Sequence, residues 1–120
     1  MPTSTDLMGF GMNSYLAEAI GNDPVAVTGV GTAQVGAAKI KAEMAEITTA
    51  GGATAAILTS DAKVGTPYYA FNISSTAALV FVPVGHNLNG SLNASLSIAQ
   101  NKLAMFIQYK KGSWASILSA

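Results

Sequence analysis

The sequence predicts a mainly β protein: a small antiparallel β-sandwich or barrel over residues 25–120, preceded by an N-terminal arm over residues 1–24. Three observations predict it. Short apolar runs recur at strand length, separated by breaks rich in Gly, Asn and Ser. Several of these runs are rich in β-branched and aromatic side chains, which suit a pleated, half-buried surface. From residue 103 the side chains alternate cleanly, with Leu103, Met105 and Ile107 on one side and Ala104 and Phe106 on the other. Short strands at regular spacing with turn residues between them indicate a sandwich or barrel. A length of 120 residues suits one core and an extended arm.

The arm differs in character from the rest. After a polar start, Leu7, Met8 and Phe10 are separated by Gly9 and Gly11. Asn13 or Ser14 can cap a brief helix through Tyr15, Leu16 and Ile20, and Gly21 can close it. Two turns of helix are marginal alone, so this helix needs a surface. That surface is either the chain's own domain or a neighbouring subunit, which the two glycines would let it reach.

Residues 25–28 form the first strand candidate, and Gly29, Gly31 and Gly36 prevent a helix after it. Residues 37–47 read two ways. Ile40, Met44 and Ile47 have helical spacing and Lys39 with Glu43 makes a helical pair, yet the resemblance described below favours strand. Residues 54–58 give the next strand, followed by a polar turn at 60–63. Residues 67–73 carry Tyr68, Tyr69, Phe71 and Ile73, and residues 79–82 are continuously apolar, the pattern of a strand covered on both faces. Residues 96–98 and 103–109 alternate, and Lys110, Lys111 and Gly112 turn the chain into a last strand beginning near Trp114. Between the strands at 79–82 and 96–98 lies an Asn-rich loop, residues 85–93. Its Asn89-Gly90 pair is a strong tight-turn signal because both residues accept positive φ.

Composition bears on partners. Hydrophobic residues make up 50% of the chain and charged residues only 10%, against about 25% in an average soluble domain. A surface of neutral side chains is cheap to desolvate, which suits a chain that lives against other chains. If the strands at 79–82 and 103–107 are covered on both faces, one small domain lacks the second cover, and copies of the chain would supply it. Six lysines balance six carboxylates and there is no Arg, so neither nucleic acid nor an anionic membrane is an expected partner. The absence of Cys excludes disulfides and thiolate metal sites. Residues 1–10 lack the basic and apolar regions of a signal peptide, so synthesis and assembly in the cytoplasm are expected.

Catalytic constellations are missing from the sequence. His86 is the only histidine and has no acidic neighbour, and the carboxylates Asp6, Glu18, Asp23, Glu43, Glu46 and Asp61 are scattered. No nucleophile-elbow or phosphate-loop motif occurs. No catalytic, cofactor or metal site is therefore assigned, and an enzyme is not expected.

From Phe71 to Trp114 the order of features resembles a recurrent bacteriophage module. Phe71-Asn72 ends one strand, and residues 79–83 run into a turn with Pro83 and Gly85. Leu88-Asn89-Gly90 follows, then a strand near 95–99, a turn at Gln100-Asn101-Lys102, a strand with Phe106 and a closing strand with Trp114. The stretches 31–36 and 48–52 are similar to its usual lead-in. Leu58-Thr59 stands where Leu-Pro is common, Leu88 replaces Ile, and Asn101-Lys102 replaces Gly-Lys. The module occurs in small phage capsid decoration proteins and in tail-fibre domains, and the resemblance spans about three-quarters of the chain.

The absence of any heptad or repeat that could form a fibre shaft favours the decoration reading. That reading implies a virion protein, a homotrimer on the capsid surface, with the major capsid protein as partner. Leu7, Met8, Phe10, Tyr15, Leu16 and Ile20 are then the candidate capsid contacts, and Phe81, Phe106 and Ile107 the candidate trimer core. A glycan-binding head-fibre or tail-fibre knob, with Asn87 and Asn89 as the ligand loop, is the first alternative, and a minor tail or connector adaptor the second.

Overall fold

The structure, a computed structural model, describes residues 24–119. The expected contacts and helix of the arm therefore lie outside the described residues. The body consists of eleven strands: β1 (Val25–Thr28), β2 (Ala38–Ile40), β3 (Met44–Thr48), β4 (Ala55–Leu58), β5 (Pro67–Asn72), β6 (Ala78–Phe81), β7 (Asn87–Leu88), β8 (Ser91–Leu92), β9 (Ser95–Ile98), β10 (Leu103–Lys110) and β11 (Ser113–Leu118). They form a seven-stranded sheet in the order β1-β3-β5-β10-β11-β7-β8 and a four-stranded sheet in the order β2-β4-β6-β9.

The mainly β expectation holds, and the antiparallel one does not. From β1 to β6 the chain alternates between the sheets, so each return to a sheet adds a strand parallel to the one before. Thus β1 pairs β3, β3 pairs β5, β2 pairs β4 and β4 pairs β6, all in parallel. A parallel pair needs a long crossover, and here the crossover is itself a strand of the opposite sheet. The winding is solenoid-like. The second half then reverses: β9 runs antiparallel to β6, β10 to β5, and β11 to β10. The β7–β8 hairpin completes the large sheet by pairing β7 in parallel with β11.

Residues 37–47 are not one strand. They form β2 and the start of β3, in different sheets, joined by a three-residue crossover. Ile40 and Ile47 both reach the core, 1% and 0% exposed, from opposite sheets, so their helical spacing arises from two strands bent around a corner.

Inward side chains of the two sheets make one core. Ile40, Ala56, Leu58, Val80 and Ile98 from the small sheet meet Val27, Ile47, Ala70, Phe106 and Trp114 from the large one. Tyr68 lies edge-on to Trp114, with ring centroids 6.2 Å apart. Alternation along β10 places Ala104, Phe106 and Gln108 inward, leaving Leu103, Met105 and Ile107 half-buried on the outside. Polar side chains fasten the ends. Asn72, 0% exposed, donates from Nδ2 to the carbonyls of Ile98 and Thr76 and accepts from the Ser74 amide at Oδ1. Gln108 donates to the Ala62 carbonyl and accepts from the Gly112 amide beside the bulge in β10. Among the described residues every buried side-chain polar atom has a partner, as the high cost of an unpaired one requires.

One turn depends on glycine for space. The Gly29 amide donates to the Thr48 carbonyl, and a Cβ added there would lie 2.5 Å from the Ala53 carbonyl oxygen. Chain 29–31 thus lies directly against chain 53–55, which leads into β4.

Candidate functional site

Three regions of the surface carry chemistry: the outer face of the large sheet, the Asn-rich loop, and a cleft at one end of the two-sheet body. The outer face is apolar across four strands. Register places Met44 beside Tyr69, Tyr69 beside Met105, and Met105 beside Ile117. The adjacent rows hold Phe71 with Leu103, and Pro67 with Ile107 and Ala115. Glu46, beside Phe71, is the one charged side chain in these rows. Ile117 is 64% exposed, so the face is open at the β11 side.

The three proposed trimer contacts do not lie together. Ile107 is on this outer face, half-buried. Phe81 is on the outer face of the other sheet, also half-buried. Phe106 is 0% exposed and packs inside the chain's own core, so a second chain cannot touch it. The alternation that sends Ile107 outward sends Phe106 inward.

In the Asn-rich loop, asparagines hold the chain's own turns. Asn89 and Gly90 have φ of 50° and 88°, the tight hairpin expected between β7 and β8. The Asn89 side chain is engaged at both ends: Nδ2 donates to the Ser116 hydroxyl and Oδ1 accepts from the Ser116 amide. Asn93 accepts at Oδ1 from the Gly85 amide and from Gln34 Nε2. Asn87, half-buried on β7, uses its backbone amide to reach the Gly112 carbonyl. The loop is built as a brace for β11. His86, at its start, accepts the Trp114 indole N–H at Nδ1, 3.0 Å away.

The cleft was not visible in the sequence. It has a volume of about 670 Å³ and lies where β2 and β4 leave the small sheet and β5 begins in the large one. Lys39, Lys41 and Asp61 bring charges to it, Tyr68 a phenol, and Ile57, Leu58, Pro83 and Val84 an apolar wall. The Asp61 amide donates to the Thr59 hydroxyl, which shapes the turn at its rim. Burial, with the Glu43 and Asp61 carboxylates adding to it, pushes the Tyr68 phenol above its ordinary pKa, so it stands as a proton donor. Burial does the same to Tyr69. These residues are spread from 39 to 84 and only the winding of the chain unites them.

Among the described residues, no group of three or more His, Cys, Asp or Glu side chains is arranged to hold a metal ion. No family model, curated protein or solved structure matches this chain.

Proposed function

We propose that the chain is a bacteriophage virion structural protein, a capsid decoration protein that sits on the outer shell as a homotrimer and stabilises the joints between capsomers. The observation that carries this reading is the outer face of the large sheet, where the half-buried Met44, Phe71, Leu103 and Met105 and the exposed Ile117 surround the buried Tyr69 in one nearly uncharged surface. Burying such a face costs little desolvation and gains apolar contact. The resemblance of residues 71–114 to the phage module and the low charge of the whole chain point the same way.

In this reading Ile107 and its neighbours on β5, β10 and β11 supply subunit contacts. The arm residues Leu7, Met8, Phe10, Tyr15, Leu16 and Ile20 engage the major capsid protein. The mechanism is mass action: a protein bound only to the assembled shell stabilises that shell by its binding free energy. No catalytic step is involved.

The test is the copy number in purified virions, relative to the major capsid protein. A ratio near one, or a fixed simple fraction of it, supports a decoration protein. A handful of copies per particle overturns it in favour of a tail adaptor or fibre component.

A further inference from the structure

Residues 1–23 and the body that follows them carry opposite charge. All six lysines lie within residues 24–119, against Glu43, Glu46 and Asp61, which leaves the body's side chains at +3. Residues 1–23 contain Asp6, Glu18 and Asp23 and no lysine, a side-chain charge of −3. The same segment is apolar as well as acidic, with Leu16 and Ile20 flanking Glu18.

The cleft matches that combination. Lys39 and Lys41 line it together with one carboxylate, Asp61, while Glu43 lies close enough to act on Tyr68. Its wall is apolar, and Val84 within that wall is 62% exposed, an aliphatic side chain left open beside two cations.

Chain direction brings the segment to the same place. Val25 is level with Ala45, and Ala45 is level with Ala70. Strand β1 therefore begins at the end of the two-sheet body where Tyr68, two residues before Ala70, lines the cleft. It also packs on β2, which carries Lys39. At about 3.3 Å per residue, 23 residues could span the 42 Å length of the molecule, so length restricts nothing. The point of attachment does. A segment tethered beside its site has an effective concentration of order mM, far above that of a second copy in dilute solution.

We propose that in the free protein the cleft is occupied by the chain's own N-terminal segment, with Glu18 against Lys39 and Lys41 and with Leu16 and Ile20 on the apolar wall. Exposed ion pairs contribute little each, so apolar contact supplies most of the attraction and charge sets the orientation. This goes beyond the assembly reading, because it concerns the free chain before any shell is met.

Because the sequence contains no Cys, paired cysteines report the contact without background. In full-length protein, Ser60→Cys at the cleft is combined in turn with Leu16→Cys and with Ile20→Cys, then oxidised mildly at micromolar concentration. An intramolecular disulfide in at least one pair, read by mass and by non-reducing gel, is the expected result. Its yield should fall several-fold when Lys39→Glu and Lys41→Glu are added. Ser97→Cys, exposed on the outer face of the small sheet, serves as the control partner and should cross-link far less. Equal yield with Ser97→Cys, linkage only between chains, or no linkage in any pair would each overturn the proposal. A second readout is limited chymotrypsin cleavage at Tyr15 and Leu16: the Lys39→Glu/Lys41→Glu protein should be cut faster, and an unchanged rate overturns the proposal too. Both measurements are made without virions, so their failure leaves the copy-number test of the decoration reading intact.

Discussion

The Trp114 indole N–H donates to Nδ1 of His86 across 3.0 Å, joining the most deeply buried large side chain of β11 to the start of the Asn-rich loop. The bond requires an imidazole lone pair at Nδ1, so the ring proton resides on Nε2. It gives the only histidine a structural role and the indole its single partner.

Replacing His86 by Leu should leave a buried indole N–H unpaired and cost about 1–3 kcal/mol. His86→Gln, which keeps an acceptor, should cost less. Urea unfolding followed by fluorescence of the single Trp measures both, and equal stability of the two variants would show that the bond contributes nothing.

Asn72 makes a larger expectation. Its Nδ2 bridges from β5 to the Ile98 carbonyl of β9, linking the two sheets, while Oδ1 holds the Ser74 amide. Asn72→Leu removes three hydrogen bonds from a fully buried position and should destabilise by roughly 2–4 kcal/mol. A loss below about 1 kcal/mol would mean the freed groups find water.

Gly29→Ala forces a Cβ to within 2.5 Å of a backbone oxygen, an overpacking expected to cost about 1–3 kcal/mol. Gly52→Ala, in open space, is the comparison and should be close to neutral. A thermal melt of each decides, and equal melting temperatures would refute the steric account.

At high pH the two raised phenols set the direction. Tyr68 and Tyr69 hold their protons in the folded state beyond the usual phenol range, while in the unfolded chain they ionise near 10. The folded form therefore binds more protons there, and stability should be full below pH 10 and fall as pH rises through the folded values. Absorbance at 295 nm should show part of the tyrosine signal titrating late, together with unfolding. A single unshifted titration would contradict it.

On the face proposed above for assembly, Met105→Glu places a carboxylate beside Tyr69 and Ile117. If that face holds the subunits together, it should convert an oligomer to monomer in light scattering while changing the unfolding free energy of the chain by no more than about 1 kcal/mol, since Met105 is only half-buried. Unchanged mass would move the subunit contact elsewhere.

Local signals in the sequence located most strands closely. Residues 25–28, 54–58, 67–73 and 103–109 were legible because alternation, β-branching and flanking Gly or Asn act over a few residues. The Asn89-Gly90 turn was legible for the same reason, although two-residue strands such as β7 and β8 are too short to leave a pattern beside it.

By itself, then, the sequence determined a β-rich body, the alternation that puts Phe106 and Ile107 on opposite sides of one strand, and a composition with few charges. The structure decided that Phe106 is the inward one. A period of two reports inside against outside and carries no information about which strand lies alongside. The tertiary structure alone decided that β1 to β6 wind in parallel between two sheets, and that residues 37–47 divide at a corner. It also brought Lys39, Asp61, Tyr68 and Val84 around one cleft. Those outcomes depend on contacts between residues tens of positions apart, which form only when both sheets close on a common core.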